Sequence, residues 1–592
     1  MAKQTRFTRD MIDGYVATGL WDMRTIADDF DRNALTIPHR EAVVDSSHRW
    51  TWADVKRLSD RIALGLLKLG IKGDDVVVAQ LPNRAENTIL WLALQKAGIV
   101  GCFPATTYRQ VEMEQALKGL NAVAMVIPSV HETFDYMGMV QAMKPRLPAL
   151  RHVFVARGES GSPESEATTR HAEPVEAPGL ATRPSTGSGW RPVKPGVRDS
   201  HFIENPSSIL SLQGFMSQPL ETEFPADYLQ KTRFRFDEVM SINLTSGSTG
   251  APKLCELIEA IGKLSGRGIN EALKLTPDDV FGSFAPMSGG PGAMVLWCPP
   301  IVGTKSVLLE RFEAEDAFKL IESEKVTVIT TVPALLVRMA SHPDKDKFDL
   351  SSLRVIRCGG AALAPSVARE LENRLKARIV TGSGSMDCFA FTHTQIDDPP
   401  EVRHFTVGKP FLGNEVRVVG DDGKDVRQGE VGEMWVRGAC SGSGYYNDVE
   451  ATKTAWGELG PGGWYRTGDL VKQDEAGNVT FVGRKKDMII RGGQNIYPKE
   501  IENILLSHPK VLDVAIVGMP DAVMGEKACA FVIPKPGQVF TFAEMVAFLK
   551  EKKLANFKIP ERLEIRDRFP GLVDGQKVDK KALAREVAER NP

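Results

Sequence analysis

At 592 residues the chain is too long for a single hydrophobic core, and its 42% apolar content supplies material for at least two. Lys and Arg number 74 against 76 Asp and Glu, with no blocks of like charge, which excludes the basic footprint of a nucleic-acid or membrane-surface binder. Seven scattered cysteines without a C-x-x-C pair, no apolar N-terminal h-region and no uninterrupted apolar run of spanning length set the expectation of a reduced, soluble, cytoplasmic protein with no stable membrane association.

From Thr51 onward Val55, Leu58, Ile62 and Leu66 recur at helical spacing, Gly70 ends that helix, and DDVVVAQ follows as a buried strand. ENTILWLALQKAG is the next predicted helix and AMVIP the next strand; such alternation predicts a parallel sheet with helices on its faces. Between about 157 and 200 the composition turns to Gly, Ser, Pro, Glu and Thr, with little to bury, and reads as a mobile surface insertion. Beyond Phe236 three short apolar runs end in unusual loops: EVMSINL in Thr245–Lys253, LRVIRC in Gly359-Gly360-Ala361-Ala362, and ARIV in TGSGSMD. If these are parallel strands, their loops converge on one ligand crevice. After Val407 the texture turns to hairpins (NEVRVVGDDGKDV, GEMWVRG, GNVTFVGRKKDMIIRGG), and the tail reads as a compact α/β unit, with Pro498 in a first helical turn and Ile501, Ile504 and Leu505 on one face. The expected class is α/β: a large N-terminal domain, 1–484, of parallel-type sheets and helices with a hairpin-rich subdomain, and a small C-terminal domain, 485–592, joined by a hinge near Arg484 to Asp487.

The stretch NLTSGSTGAPK, Asn243 to Lys253, concentrates the chemistry. Gly247 and Gly250 free the backbone to turn and expose N–H groups, while Thr245, Ser246, Ser248, Thr249 and the Lys253 ammonium add donors, the makings of a polyphosphate cradle. It is not the Walker pattern, since Ala-Pro separates Gly250 from Lys253; alone, it is equally a Ser/Gly-rich surface turn.

It does not stand alone. YRTGD (465–469), GRKKD (483–487), GGQNIYPKEIE (492–502) and GQKVDKKAL (575–583) follow in order, and together with the opening loop they resemble the adenylate-forming superfamily of acyl- and aryl-CoA synthetases, aryl-acid adenylating enzymes, adenylation domains and luciferases. The resemblance covers nearly the whole chain outside the 157–200 segment. It implies ATP, Mg²⁺ and coenzyme A: a carboxylate attacks the α-phosphate of ATP, pyrophosphate leaves, and a thiol then takes the acyl group from the adenylate. Loop donors would follow the charge moving onto the leaving pyrophosphate.

Carried over residue by residue, the resemblance places Asp387, with Thr249, on Mg²⁺, Asp469 on the ribose hydroxyls, Gly360 and Ala361 against adenine, and Arg484 on ribose or phosphate. It makes Lys577 the catalytic lysine, in a P-x-x-x-x-G-K pattern with a Gln inserted before Lys, and Lys486 the hinge of a mobile small domain whose rotation brings Gly492 and Gly493 to the pantetheine tunnel. The rival reading of Lys577 is one exposed lysine among several, since Lys580 and Lys581 follow. Met287, Ser288, Gly289, Gly290, Phe389 and His393 are candidate substrate-pocket residues. Three departures from the family pattern stand out: Ser383-Gly384-Ser385-Met386-Asp387 replaces aromatic-Gly-x-Thr-Glu, FAPMSGGPGA lacks a histidine, and CELIEA replaces a more polar helix start after Lys253. PKL after the loop and the long N-terminal lead look closest to the aryl and alicyclic acid branch, so the expected reaction is ATP-dependent ligation of a bulky, mainly apolar carboxylic acid to CoA. The alternatives are loading of a carrier-protein pantetheine and, in another class, a nucleotide sensor without turnover.

Overall fold

The computed structural model describes residues 4–156, 209–245, 252–361, 363–457, 462–571 and 578–590. The predicted 157–200 insertion lies outside them.

The early elements form where their sequence asks. Thr51 caps the helix Trp52–Lys68 in a reciprocal box with Asp54, and Gly70 at φ +78° ends it. The strand Val76–Ala79 is buried along its whole length, and so is every residue of the helix Ala85–Ala97, as befits an element enclosed by the core on all sides. Its one ammonium, Lys96, is fully buried and held by Asp31 (2.8 Å) and Asp60 (2.6 Å), which offsets the cost of taking the charge out of water.

Among the described residues, seven strands make one sheet, with Leu254–Ile258 at its edge beside Val239–Leu244, and nine make another, in which Phe389–His393, Arg378–Ser385, Val355–Cys358 and Val328–Thr331 are consecutive. One apolar core joins both, holding Val77 and Val100 of the first sheet and Val328, Val355 and Val380 of the second. A four-stranded antiparallel sheet follows, as the hairpin texture predicts, with its own core around Met434, Val436, Trp456 and Val471. The C-terminal sheet is covered on two faces: Ile501, Leu505 and Met545 pack on one, Leu583 and Val587 on the other. Pro498 opens the helix Pro498–Leu505, with Ile501 and Leu505 buried and Ile504 packed beside them. The whole is mixed α/β, a large N-terminal domain of parallel sheets and helices followed by a C-terminal domain. None of the described helices is long and apolar enough to cross a membrane, and all seven cysteines are buried free thiols.

Three sequence expectations need correction. The three loop-bearing strands do not share a sheet: Val355–Cys358 and Arg378–Ser385 are parallel neighbours, whereas Val239–Leu244 belongs to the other sheet. TGSGS is not a loop but the end of Arg378–Ser385, running antiparallel to Phe389–His393; Gly384 is needed there because an added Cβ would lie 2.3 Å from the Phe389 carbonyl oxygen. CELI after Lys253 is strand, and the helix starts only at Glu259.

That strand explains the acidic residues of CELIEA. Glu256 accepts from the Thr5 amide (2.9 Å) and hydroxyl (3.0 Å), and Glu259, which opens the following helix, accepts from the Ile26 amide (2.5 Å), so both carboxyls tie the N-terminal lead to the elements that follow the Thr245–Lys253 loop. Burial pushes Glu256 up to about 8 and Glu259 up to about 7, from an ordinary 4.5. Between 4.5 and about 8 the folded chain keeps protons that the unfolded chain releases, so stability from these groups is full below the unfolded value and falls as pH rises, by up to about 1.4 kcal/mol per pH unit per group. Urea midpoints for the native chain should therefore drop from about pH 6 to about pH 8, and Glu256→Gln should shrink that drop by roughly half. An unchanged drop in the variant would contradict the assignment.

Candidate active site

The ends of the Thr245–Lys253 loop are pinned as a hairpin. The Thr245 amide donates to the Lys253 carbonyl (3.2 Å) and the Lys253 amide to the Thr245 hydroxyl (3.3 Å), continuing the antiparallel pairing of Val239–Leu244 with Leu254–Ile258. Ser246, Gly247, Ser248, Thr249 and Gly250 lie outside the described residues, as does Lys577.

From Lys253 a polar chain crosses to Asp387. The Lys253 ammonium donates to the Tyr445 hydroxyl (2.9 Å) and sits 4.6 Å from that ring's centroid; the Tyr445 hydroxyl donates to Asp387 Oδ2 (2.8 Å). The Tyr465 phenol lies beside the same carboxylate. Burial, with the Asp387 carboxylate beside them, holds both phenols well above the usual range, so each remains a donor at any physiological pH. Trp456 backs the pair, with ring centroids 5.8 Å from Tyr445 and 4.9 Å from Tyr465, and its indole N–H is satisfied by the Ser441 carbonyl (3.0 Å). Asp387 owes its position to the hairpin turn between Ser385 and Phe389, where the Cys388 amide donates to the Ser385 hydroxyl (3.1 Å) and Phe389 takes φ +60°. The departure at Ser383 is absorbed locally, its hydroxyl lying 2.7 Å from that of Thr392 across the same hairpin.

Asp469 is 4% exposed and stands opposite Arg484 in the antiparallel pair Tyr465–Gln473 and Val479–Arg484. Arg484 Nε meets Asp469 Oδ1 at 2.7 Å, and the Asp469 amide donates to the Thr467 hydroxyl (3.0 Å). The next residues form a short 3₁₀ turn, Lys485–Asp487, in which Lys485 reaches Asp421 (3.1 Å) and Glu433 (3.3 Å) while Lys486 is exposed. Gly492 and Gly493 have φ +56° and +79° in the turn between Ile489–Arg491 and Gln494–Ile496, and an added Cβ at Gly492 would lie 2.6 Å from Met524 Cε. Lys580, one rival to Lys577, is committed elsewhere, 2.5 Å from Glu502.

Of the predicted pocket, Met287 is buried and its amide donates to Asn83 Oδ1 (2.8 Å), while Asn83 Nδ2 donates to the Ala285 carbonyl (2.8 Å), pinning the turn that carries Ser288, Gly289 and Gly290. Gly360, at φ +84°, and Ala361 are exposed, and the preceding Gly359 is buried near Pro291 of that same turn. His393 is buried at the far end of the strand from Phe389, and its Nε2 accepts from Arg357 Nε (3.2 Å). The structure thus links the turn at 287–291 with Gly359 and Gly360, and His393 with Arg357, while Phe389 belongs to the Asp387 turn.

Sequence reasoning missed Tyr445, Trp456 and Arg357. Tyr445 is 192 positions from Lys253, so no local pattern connects them; the available signal was two adjacent aromatics after a Gly/Ser-rich turn, SGSGYY.

The AMP-binding enzyme family matches residues 30–446, and the AMP-binding enzyme C-terminal domain matches 500–572. The chain is 30% identical to the 2-hydroxy-7-methoxy-5-methyl-1-naphthoate–CoA ligase of Streptomyces carzinostaticus, over 97% of this chain and 95% of the relative. It is 31% identical to the 2,3-dihydroxybenzoate-AMP ligase of Bacillus subtilis, over 99% and 98%. The crystal structure of the anthranilate CoA ligase AuaEII in complex with anthranoyl-AMP superposes with a TM-score of 0.79 at 22% identity, covering 96% of this chain and 98% of that one, a likeness of fold. A match over more than half the chain, with relatives aligned nearly end to end, permits one placement: the chain belongs to the AMP-binding enzyme family, the ATP-using adenylate-forming superfamily, close to its aryl-acid adenylating enzymes.

Proposed function

We propose that the protein is an ATP-dependent acid–thiol ligase that adenylates an aryl, alicyclic or other bulky carboxylic acid and passes the acyl group to coenzyme A. The observation that carries this reading is the chain from Lys253 through Tyr445 to Asp387, which puts a fixed cation and a fixed carboxylate at the mouth of the Thr245–Lys253 loop. Asp387 suits a hard cation: a carboxylate offers about four lone-pair directions, and the Tyr445 hydroxyl orients it without filling them. Asp387 and Thr249 would hold Mg²⁺, which when bound neutralises charge on the phosphates. Lys253 and the loop hydroxyls hold the β- and γ-phosphates, Asp469 receives the ribose hydroxyls, Gly360 and Ala361 lie against adenine, and Arg484 moves between Asp469 and the nucleotide. Lys577 bridges the attacking carboxylate and the α-phosphate, relieving their repulsion in a site closed to water.

The same reading divides the chain into 1–484 and 485–592, with Lys486 as the hinge and the Gly492-Gly493 turn facing the thiol after rotation. Exposure of Lys486 beside an anchored Lys485 supports a pivot there. CoA as acceptor agrees with the naphthoate–CoA ligase relative; transfer to a carrier-protein pantetheine is the second reading, since the equally similar dihydroxybenzoate-AMP ligase is named for the adenylate alone. Incubation of an acid panel with ATP, Mg²⁺ and CoA, followed by mass spectrometry of the products, separates them. An acyl-CoA is expected; adenylate without thioester would transfer the proposal to a carrier protein, and neither product would favour a sensor.

A further inference from the structure

The face of the nine-stranded sheet that looks toward the turn at 287–291 carries polar side chains in an otherwise apolar row. Ser283, Thr330 and Arg357 are cross-strand neighbours on consecutive strands, and Val380 continues the row. The Ser283 hydroxyl is used, donating to the Gly292 carbonyl (3.1 Å). Thr330 Oγ1 and Arg357 Nη1 are not: both are buried, and neither has a hydrogen-bond partner among the described residues.

Arg357 is the more costly of the two. Its Nε donates to His393 Nε2, and burial together with the Arg357 charge pushes His393 down to about 3, so the ring is neutral. With Nε2 accepting, Nδ1 carries the proton and donates to the Thr394 carbonyl. The other groups facing the guanidinium are the thiols of Cys298 and Cys358, each pushed up to about 12 by burial and therefore uncharged. Arg357 has no carboxylate at salt-bridge distance among the described residues, and a guanidinium does not deprotonate in a protein. A half-buried, unbalanced cation with a buried idle N–H costs stability unless something supplies the countercharge.

Gly359 borders the idle N–H. A Cβ placed on Gly359 would be in van der Waals contact with both Arg357 Nη1 (3.5 Å) and Pro291 Cγ (3.6 Å), so the glycine keeps a methyl-sized gap between the guanidinium and the 287–291 turn. We propose that Arg357 is a specificity-determining residue that pairs with a second anionic group on the acid, so that the preferred substrate carries a carboxylate or ionised phenol on its ring besides the reacting carboxyl. Thr330 Oγ1, next in the row, offers that group a hydroxyl. This refines the expectation of a mainly apolar acid and rests on the adenylating function proposed above.

The test is calorimetric binding of benzoate, 3-hydroxybenzoate and the benzene and cyclohexane dicarboxylates to the full-length protein and to Arg357→Met and Arg357→Lys, with acid-dependent ATP–pyrophosphate exchange in parallel. The native protein should bind at least one dianionic acid about 10- to 100-fold more tightly than benzoate, the range expected of a hydrogen bond to a charged group. Arg357→Met should erase that preference with benzoate and ATP affinities little changed, and Arg357→Lys should restore part of it. Equal weakening of every acid by Arg357→Met, as for a clamp on the reacting carboxyl, overturns the inference. So does the lack of any dianion preference in the native protein, including failure of all the acids to bind. Preference without exchange for any acid would uphold Arg357 and reject the adenylating function, which keeps the two apart.

Discussion

Lys577→Ala should lower acid-dependent pyrophosphate release by about 10³-fold or more while leaving thioester formation from a synthetic acyl-adenylate within a few-fold of the native rate. The reasoning is electrostatic. Two anions, the acid's carboxylate and the α-phosphate, must be brought to bonding distance, and a positioned ammonium is worth most where water is excluded. Thiol attack on the adenylate joins no such pair of anions, so it does not need the same cation. Lys580 is no substitute, because it pairs with Glu502, itself almost fully buried. Measuring the two half-reactions separately decides the matter; equal damage to both steps would mean that Lys577 supports the fold or binds the nucleotide throughout.

The second large effect belongs to Asp387→Asn. An asparagine oxygen still accepts from Tyr445, so the hairpin turn and its Trp456 backing should persist, but the negative charge is gone. Adenylation should fall on the order of 10²- to 10³-fold, with a rise in the Mg²⁺ concentration needed for half-maximal rate. Tyr445→Phe is the milder companion: it keeps the ring against Trp456 and removes only the hydroxyl between Lys253 and Asp387, a loss of about 1–2 kcal/mol, or roughly ten-fold in apparent ATP affinity. Steady-state kinetics at varied Mg²⁺ and ATP, with thermal unfolding as the control for folding, checks both. If Asp387→Asn left the Mg²⁺ requirement unchanged, the carboxylate would be structural.

What the sequence disclosed follows from how local each signal was. The helix Trp52–Lys68 and its cap, the buried strand Val76–Ala79 and the Pro498 helix start are written in periodicities and end signals a few residues long, and each was legible. The assignment of strands to sheets was not, because Val239–Leu244 and Val355–Cys358 look alike as apolar runs and only tertiary packing separates them into two sheets. TGSGS misled for a related reason: small polar residues read as a loop, whereas Gly384 is demanded by a close cross-strand approach. At the site, the motif residues Asp387, Lys253 and Asp469 could be picked out by resemblance, yet their partners Tyr445 and Arg484 are set by the fold; only Arg484 lies within a recognisable motif. Arg357 was invisible for the opposite reason, since a single arginine in a strand carries no pattern until its neighbours turn out to be a neutral imidazole and two thiols.

The central claim, that this chain joins a carboxylic acid to AMP at the loop ending in Lys253, is tested most directly by acid-dependent exchange of labelled pyrophosphate into ATP. The account predicts exchange with at least one ring-bearing acid, dependent on Mg²⁺ and nearly abolished in Asp387→Asn. Exchange that persists undiminished in that variant, or none with any acid across a broad panel, would contradict it.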